Sequence, residues 1–373
     1  MLLAAGRVVT PARTLAPGWV HVDGDRIVDV GVGVPPRAAD VSLPAATLVP
    51  GFVDIHVHGG GGASFDGGDP EAGATAVRAH RAHGTTTMAA SLVTERPDVL
   101  AGSVAGLADL VDDGLLAGVH LEGPWLSPRY AGAHDPDLLT DPVPPAVDAL
   151  LDAGRGHVRM VTLAPELDGG LDAVRRLTDA GVVAAIGHTD ATYDIACAAL
   201  EAGARVGTHL FNAMRGLHHR EPGPIAALLE HPDAYVELVS DGVHVHPAAL
   251  RLAARAKPER TVLVTDAMAA AAAADGDYRL GRLTVEVRDG VARLAGSGAI
   301  AGSTLTMAAA VKYAVQVAGL PLEDVVRAAT SAPAHLIGLD GVGALRPGFR
   351  ADLVVLDDDL DVQRVLHAGR WVT

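Results

Sequence analysis

Short apolar segments alternate with Ala- and Leu-rich stretches along most of the chain from residue 48 onward, the pattern of repeated strand–helix units. The apolar segments predict strands at 50–58, 85–93, 116–122, 158–164, 182–188, 206–211, 235–240 and 261–266. The intervening stretches predict helices at 71–83, 97–111, 145–153, 171–180, 193–203, 223–230, 247–256, 304–318 and 322–331. This order predicts an α/β fold, a closed (β/α)₈ barrel of the TIM type.

The two ends of the chain have a different pattern, with short alternating segments separated by turns. Neither end could bury a core alone, so we predict that residues 1–48 and 341–373 form one small β-sandwich domain and that residues 49–340 form the barrel. A β-hairpin near 278–296, with its turn at Asp289-Gly290, is predicted as an insertion after the eighth strand.

Composition narrows the classes of protein that the chain can belong to. Of its 373 residues 49% are hydrophobic, and no apolar run reaches membrane-spanning length, so no membrane partner is expected. The formal net charge of −16 opposes binding to nucleic acid. The single cysteine, Cys197, rules out an intrachain disulfide, and the N-terminal residues lack a signal-peptide pattern; both favour the cytoplasm.

His56 and His58 end the first predicted barrel strand and precede a run of glycines at 59–62. Side chains two apart on a strand point the same way, and glycines let the backbone turn sharply after them. Two imidazoles on one face suit a divalent metal such as zinc. A histidine pair of this kind can equally be part of a hydrogen-bonded core, so these two residues alone do not decide.

Other predicted barrel strands also end on residues that can bind metal or move protons. Glu122 ends the third strand, His188 the fifth, His209 the sixth and Asp266 the eighth. Because polar residues at the C-terminal strand ends of such a barrel converge, this set predicts a metal centre. Asp190 and Asp241, which follow two of these strands, are candidate hydrogen-bond partners for the ligand histidines, or helix caps.

Eight motifs carry a resemblance to a known family. They are PGFVDIHVHG at 50–59, HLEGP at 120–124, GHTDA at 187–191, HLFNAM at 209–214, REPG at 220–223, DGVH at 241–244, VTDA at 264–267 and AGST at 301–304. The chain resembles the amidohydrolase superfamily and, within it, the family of N-acetylglucosamine-6-phosphate deacetylases. The resemblance implies hydrolysis of N-acetyl-D-glucosamine 6-phosphate to D-glucosamine 6-phosphate and acetate, in amino-sugar catabolism and cell-wall recycling.

The resemblance also implies a metal site and a base. Glu122, His188 and His209 would hold one divalent metal, and His56 and His58 would add a second beside Glu122. One or two metals per subunit are therefore expected, zinc first, with iron, manganese or cobalt as alternatives. No lysine lies near the fourth strand to supply a carboxylated bridging ligand, as some sister enzymes do. Asp266 would be the general base and a weak metal ligand, taking a proton from the metal-activated water and returning it to the amine.

Substrate contacts are implied in the same way. His134 would polarise the acetamide carbonyl and hold the sugar, although it could be an ordinary loop histidine. Asn212, the backbone near Ala213, His244 and Arg220 would bind the phosphate. Arg220 would come from a neighbouring subunit, which requires a homodimer, unless it is simply a surface residue.

Two rival functions remain open. One is deacetylation of another N-acetylated amino sugar, such as N-acetylgalactosamine 6-phosphate, on the same scaffold. The other is a non-catalytic barrel, which the intact set of ligands and Asp266 disfavours. The segment 127–134 is expected to form a loop over the site and carries Ala131 where some relatives have cysteine.

Overall fold

The computed structural model describes residues 1–372. Thr373, the last position of the predicted terminal domain, lies outside the described residues. Within the described range, no helix combines the length and the apolar character that crossing a bilayer requires.

Parallel strands that pair in chain order form the barrel wall. From first to eighth they are Phe52–Val57, Thr85–Leu92, Gly118–Glu122, Val158–Leu163, Val183–Ile186, Val206–Gly207, Tyr235–Val239 and Thr261–Val264. The wall closes where Val57 forms a parallel bridge with Ala267 and the His58 amide donates to the Ala267 carbonyl at 2.7 Å. The predicted (β/α)₈ architecture is thus confirmed.

Helices pack around this wall. They are Pro70–Ala82, Pro97–Asp112, Pro144–Ala153, Gly170–Asp179, Tyr193–Glu201, Gly223–Glu230, Pro247–Ala256, Met307–Gln316, Leu322–Ala328 and Ser331–Leu336, with short 3₁₀ turns at Pro128–Tyr130 and Pro136–Leu138. Several begin with proline, whose missing N–H costs nothing in the first turn. The prediction of a single helix at 322–331 is wrong. The observed helix ends at Ala328, and the Ala329 carbonyl accepts a hydrogen bond from the Val53 amide in the first barrel strand.

Three barrel strands end two or more residues before their predicted ends, and each is followed by a predicted site residue. The fifth strand ends at Ile186, the sixth at Gly207 and the eighth at Val264. His188, His209 and Asp266 then have positive φ angles of 46°, 28° and 50°, a conformation that cannot continue a strand. The backbone therefore leaves the sheet where the predicted chemistry begins.

Both ends of the chain join one mixed sheet. Its strands are Leu2–Val9, Thr14–Leu15, Gly18–Asp23, Arg26–Val32, Val41–Pro50, Leu353–Leu356, Val362–His367 and Arg370–Trp371. Val41–Pro50 lies between the two ends, parallel to Leu2–Val9 and antiparallel to Leu353–Leu356. This strand passes through Gly51 directly into the first barrel strand, so no linker separates the sheet from the barrel.

A small antiparallel sheet is inserted after the eighth barrel strand. It has the strands Gly276–Leu280, Leu283–Arg288 and Val291–Leu294, one more than the predicted hairpin, because the chain turns at Gly281 with a φ of 54°. Its first turn is tied to the barrel by an Asp66 carboxylate that accepts from the Gly281 amide and by a Glu95–Arg282 ion pair. The insertion therefore stands over the same end of the barrel as the predicted site.

Candidate metal centre and substrate cavity

Residues from the third, fifth and sixth strand ends meet at one point inside the barrel mouth. The Glu122 Oε1 atom lies 3.0 Å from His188 Nε2 and 3.0 Å from His209 Nε2. The two imidazole Nε2 atoms are 3.1 Å apart, and all three side chains are buried. The structure thus brings together the three residues predicted to hold the first metal.

The histidines of the first strand and the carboxylate of the eighth lie beside this group. His56 Nε2 is 3.2 Å from His58 Nε2, and Asp266 Oδ1 is 3.4 Å from His58 Nε2. Glu122 connects the two groups, because its Oε1 atom lies 3.6 Å from His56 Nε2 and its Oε2 atom 3.3 Å from His58 Nε2. The carboxylate of Glu122 is therefore central to both groups.

The electrostatics of the cluster favour positive charge. Burial lowers the pKa of His56, but three surrounding carboxylates, Glu122 foremost, raise it well above its usual value. Burial opposes ionisation of Asp266 too, yet the His56 charge and a hydrogen bond from His58 lower its pKa to about 2. The pKa of His58 is raised to about 9, since hydrogen bonds to Asp266 and Glu122 outweigh its burial. Asp266 is ionised at neutral pH and can accept a proton.

A divalent cation fits this donor set. The His188 Nδ1 atom lies 2.8 Å from the Tyr130 carbonyl, which can only accept, so Nδ1 carries the proton and Nε2 presents its lone pair to Glu122 and His209. Lone pairs and carboxylate oxygens that converge in a buried site are stabilised by a bound cation. Ligand atoms of His56, His58 and Asp266 lie within 4.8 Å of one another, as do those of Glu122, His134 and His188.

His134 also lies against this centre, with its Nε2 atom 3.3 Å from Glu122 Oε2. Its Nδ1 atom accepts from the Thr94 amide at 3.3 Å, which leaves the proton of a neutral ring on Nε2. Burial lowers the pKa of His134 to about 4, so the ring is neutral at pH 7. It can therefore offer an N–H to an oxygen in the cavity.

A cavity of about 360 Å³ opens above the centre. Its lining contains most of the predicted site residues, namely His58, Glu122, His134, His188, His209, Asn212, Ala213, His244 and Asp266. Arg129 and Tyr130 from the loop at 127–134 and Leu280 from the inserted sheet complete one side. The loop and the insertion thus shape the entrance, while the barrel strands supply its floor.

Arg220 is a predicted phosphate-binding residue that the chain does not bring to the cavity. Its guanidinium lies 2.8 Å from His219 Nε2 on an exposed segment, and Arg220 is absent from the described residues that line the cavity. The Asn212 amide donates to the carbonyl of His209 at 3.1 Å, which holds it near the metal centre. The His244 Nδ1 atom contacts Asp241 Oδ2 at 2.6 Å, and His244 lines the cavity.

Two further acidic residues differ from what the sequence suggested. Asp190 was a candidate either to contact a ligand histidine or to cap a helix, but its carboxylate pairs with Arg129 at 3.0 Å and with Arg215 at 2.9 Å, and Thr192 caps the following helix. Glu237, which sequence reasoning missed, is fully buried in the seventh strand with its Oε2 atom 3.1 Å from His56 Nδ1. A charged residue inside the apolar run YVELV at 235–239 was the signal that could have revealed it.

Comparisons with known proteins agree with this geometry. A model of the amidohydrolase family matches residues 47–372. The chain is 38% identical over 361 residues to N-acetylgalactosamine-6-phosphate deacetylase of Escherichia coli O157:H7, covering 95% of each chain. It is 33% identical over 376 residues to N-acetylglucosamine-6-phosphate deacetylase of Bacillus subtilis, covering 97% of this chain and 94% of the other.

Solved structures are similar over the whole chain. The crystal structure of N-acetyl-D-glucosamine-6-phosphate deacetylase from Mycobacterium smegmatis superposes with a TM-score of 0.98 at 54% identity, covering 100% of both chains. A variant of that enzyme, in complex with N-acetyl-D-glucosamine-6-phosphate, has the same TM-score of 0.98 and covers 100% of this chain and 99% of its own. The resemblance seen in the sequence motifs is thereby confirmed.

Proposed function

The chain belongs to the amidohydrolase family, and we propose that it hydrolyses N-acetyl-D-glucosamine 6-phosphate to D-glucosamine 6-phosphate and acetate. The observation that carries this proposal is the likeness, at 54% identity over the full chain, to an enzyme whose structure holds that sugar phosphate. The convergence of Glu122, His188, His209 and Asp266 below a cavity of about 360 Å³ supports it, because an amide hydrolase needs an activated water and room for a sugar.

Glu122, His188 and His209 would hold one divalent metal, with zinc proposed first, and His56, His58 and Asp266 would hold a second. When bound, such a metal would lower the pKa of the attacking water and polarise the acetamide carbonyl. The absence of an intrachain disulfide, given the single Cys197, supports a reducing compartment such as the cytoplasm as its location.

Asp266 and His134 would carry out the proton transfer and stabilise the developing charge. The Asp266 carboxylate would accept a proton from water as its oxygen attacks the acetamide carbon, and would return that proton to the amine as the C–N bond breaks. The neutral His134 ring, with its N–H on Nε2, would donate a hydrogen bond to the carbonyl oxygen as negative charge develops there. The products are acetate and the free amine.

The phosphate would be bound by Asn212, the backbone near Ala213 and His244, with Arg220 supplied by a second copy of the chain in a homodimer. This proposal is supported by the position of Arg220, which lies exposed and away from the cavity of its own chain. A guanidinium from a partner would complete the site with bidentate, charge-assisted hydrogen bonds.

Mixing two defective variants tests the source of Arg220. We expect Arg220→Ala to raise KM about 10- to 100-fold through the lost charge-assisted bonds, with little change in kcat. A mixed dimer of Arg220→Ala and Asp266→Asn chains has one site with both groups intact if Arg220 acts across the interface. Activity measured below KM should then rise on mixing. Mixed dimers that form but show no recovery would mean that Arg220 does not act across the interface.

A second substrate is favoured by one comparison, since the relative from Escherichia coli at 38% identity is named an N-acetylgalactosamine-6-phosphate deacetylase. Acetate release from N-acetylglucosamine 6-phosphate, its galactosamine epimer and unphosphorylated N-acetylglucosamine, on protein of known metal content, separates the possibilities. We expect the first substrate to have the highest kcat/KM and the loss of the phosphate to lower it at least about 100-fold. Faster turnover of the epimer would instead identify N-acetylgalactosamine 6-phosphate as the substrate.

A further inference from the structure

Glu237 is a carboxylate enclosed within the barrel, next to the metal centre but outside the cavity. It occupies the middle of the seventh strand, Tyr235–Val239, and its side chain is completely buried. Burying a carboxylate in such a place removes its hydration, which is unfavourable unless hydrogen bonds compensate. The contacts of the Glu237 oxygen atoms therefore indicate why a charged residue occupies this position.

One oxygen of Glu237 contacts both groups of predicted metal ligands. The Oε2 atom accepts from the backbone N–H of His209 at 3.1 Å, and the same atom lies 3.1 Å from His56 Nδ1. The backbone carbonyl of Glu237 also accepts from the Leu210 amide at 2.9 Å. The residue thus holds the first-strand histidine and the backbone of the sixth-strand histidine at once.

The contact with His56 determines how that ring is oriented. A carboxylate oxygen accepts hydrogen bonds, so His56 Nδ1 is the donor. In the neutral form of the ring, the one that can bind a metal, the proton therefore lies on Nδ1. The lone pair of Nε2 then points to the centre, where Glu122 Oε1 and Asp266 Oδ1 each lie 3.6 Å away. The opposite tautomer would direct an N–H at the place where a cation belongs.

The contact with His209 holds a strained backbone. The sixth strand ends at Gly207, and His209 has a φ of 28°, outside the range that a strand can use. Its N–H has therefore left the strand ladder, and the Glu237 carboxylate supplies the acceptor in place of a neighbouring strand. This keeps His209 Nε2 at 3.0 Å from Glu122 Oε1.

We propose that Glu237 is a positioning residue of the metal centre, which joins the two ligand groups by fixing the ring of His56 and the backbone of His209. The inference rests on the proposed metal centre and goes beyond it, because Glu237 would touch neither metal nor substrate. If this position in the apolar strand served packing alone, leucine would stabilise the fold better than glutamate, since an apolar residue of similar volume avoids the desolvation of a buried charge.

Metal affinity of the folded apo-protein tests this, by titration with Zn²⁺ against a competing chelator. Glu237→Leu removes both hydrogen bonds, and we expect about 10- to 100-fold weaker binding and a loss of the second equivalent of metal. Glu237→Gln keeps an acceptor oxygen and should restore the affinity to within about 3-fold of the wild type. Asp352→Asn, which changes another buried carboxylate, one that accepts from Arg350 and Ala368, is the matched control and should bind like the wild type.

The outcomes separate this inference from the proposed function. Wild-type affinity and stoichiometry in folded Glu237→Leu would overturn the positioning role and leave the deacetylase proposal intact. Wild-type protein that binds none of Zn²⁺, Fe²⁺, Mn²⁺ and Co²⁺ would overturn both. If Glu237→Leu does not fold, Glu237→Asp takes its place. Its side chain is one methylene shorter and cannot reach both partners, so the same loss of affinity is expected, and unchanged binding would again refute the role.

The Co²⁺ absorption spectrum is a second measurement. It should change in the variants that lose affinity and be restored in Glu237→Gln.

Discussion

Asp266 combines a strained backbone with a carboxylate held between two imidazoles. Its φ is 50°, and its Oδ1 atom lies 3.4 Å from His58 Nε2. The Ser303 amide donates to its carbonyl at 2.7 Å, and its own amide donates to the His56 carbonyl at 2.9 Å, so the conformation is held from both sides. Strain maintained in this way at a strand end is typical of a residue whose side chain has to be aimed.

Replacement of Asp266 by asparagine should separate binding from turnover. The amide keeps the shape of the side chain but cannot accept the proton of the attacking water, so we expect kcat to fall by about 10²- to 10⁴-fold with KM within a few-fold of the wild type. Metal content, measured on the same samples, should stay at or above one equivalent. Near-normal turnover would remove Asp266 from the role of general base.

His134 should act mainly on the chemical step. The Thr94 amide donates to Nδ1 of the ring, which places the proton on Nε2. This N–H can donate a hydrogen bond to the carbonyl oxygen of the substrate as negative charge develops there. We expect His134→Ala to lower kcat about 10²- to 10³-fold, the usual effect of losing one donor to a developing oxyanion. His83→Ala, an exposed histidine remote from the cavity, serves as control. A change in KM alone would instead assign His134 to sugar binding.

At the scale of elements, Tyr130 and Arg129 both fasten the loop at 127–134 to the barrel. The Tyr130 carbonyl accepts from His188 Nδ1 at 2.8 Å, and Arg129 pairs with Asp190 at 3.0 Å. Gly132 permits the close approach, because its φ is 58° and an added Cβ would lie 3.0 Å from the His188 ring. The loop therefore contacts a predicted metal ligand and the cavity mouth at once.

The Arg129–Asp190 pair should tune this loop modestly. Arg129 is 71% exposed, so solvent screens the pair, and we expect Arg129→Ala or Asp190→Asn to raise KM about 3-fold. The double variant should show no larger effect than Asp190→Asn alone, because that change already breaks the bond to Arg129 along with the bond to Arg215. Raised salt should reduce the difference from the wild type. Fully additive effects on KM in the double variant would show that the Arg129–Asp190 pair does not hold the loop in place.

Element boundaries were predictable where periodicity alone decides them. The helices at Gly223–Glu230 and Pro247–Ala256 coincide with their predicted ranges. The predicted boundaries were wrong where a residue distant in sequence forms a contact. The Val53 amide donates to the Ala329 carbonyl, and the predicted helix ends there. Site residues with positive φ end three strands early. A local pattern holds no information on such partners, since they come from other parts of the chain.

At the scale of the whole molecule, Asp352 joins the terminal sheet to the barrel. Its buried carboxylate accepts from the Ala368 amide at 2.8 Å and from Arg350 Nε at 2.6 Å, and Arg350 in turn reaches Thr87 in the second barrel strand. Burial would raise the pKa of Asp352, but its hydrogen bond with His367 and the charge of Arg350 lower it below its usual value.

Asp352→Asn should destabilise the protein in a pH-dependent way. We expect a loss of about 1–3 kcal/mol in the free energy of unfolding at pH 7, measured by urea denaturation. Because the pKa is lowered in the folded state, the ionised carboxylate stabilises the protein above the unfolded-state pKa of about 4 and loses this effect as pH falls further. The difference between variant and wild type should therefore be constant from about pH 6 to 8 and shrink below about pH 4. A difference that grows on acidification would contradict this assignment.

Sequence alone determined the (β/α)₈ order, the participation of both ends in a second sheet and the set of polar strand ends, because these follow from local periodicity and from the rule that strand ends converge. It also placed Glu122, His188, His209 and Asp266 in one site through family motifs. Only the tertiary structure revealed Glu237 beneath His56, paired Asp190 with Arg129, and left Arg220 outside its own cavity. Each of these depends on contacts between residues far apart in the chain, and no local pattern of side chains encodes which distant groups will meet.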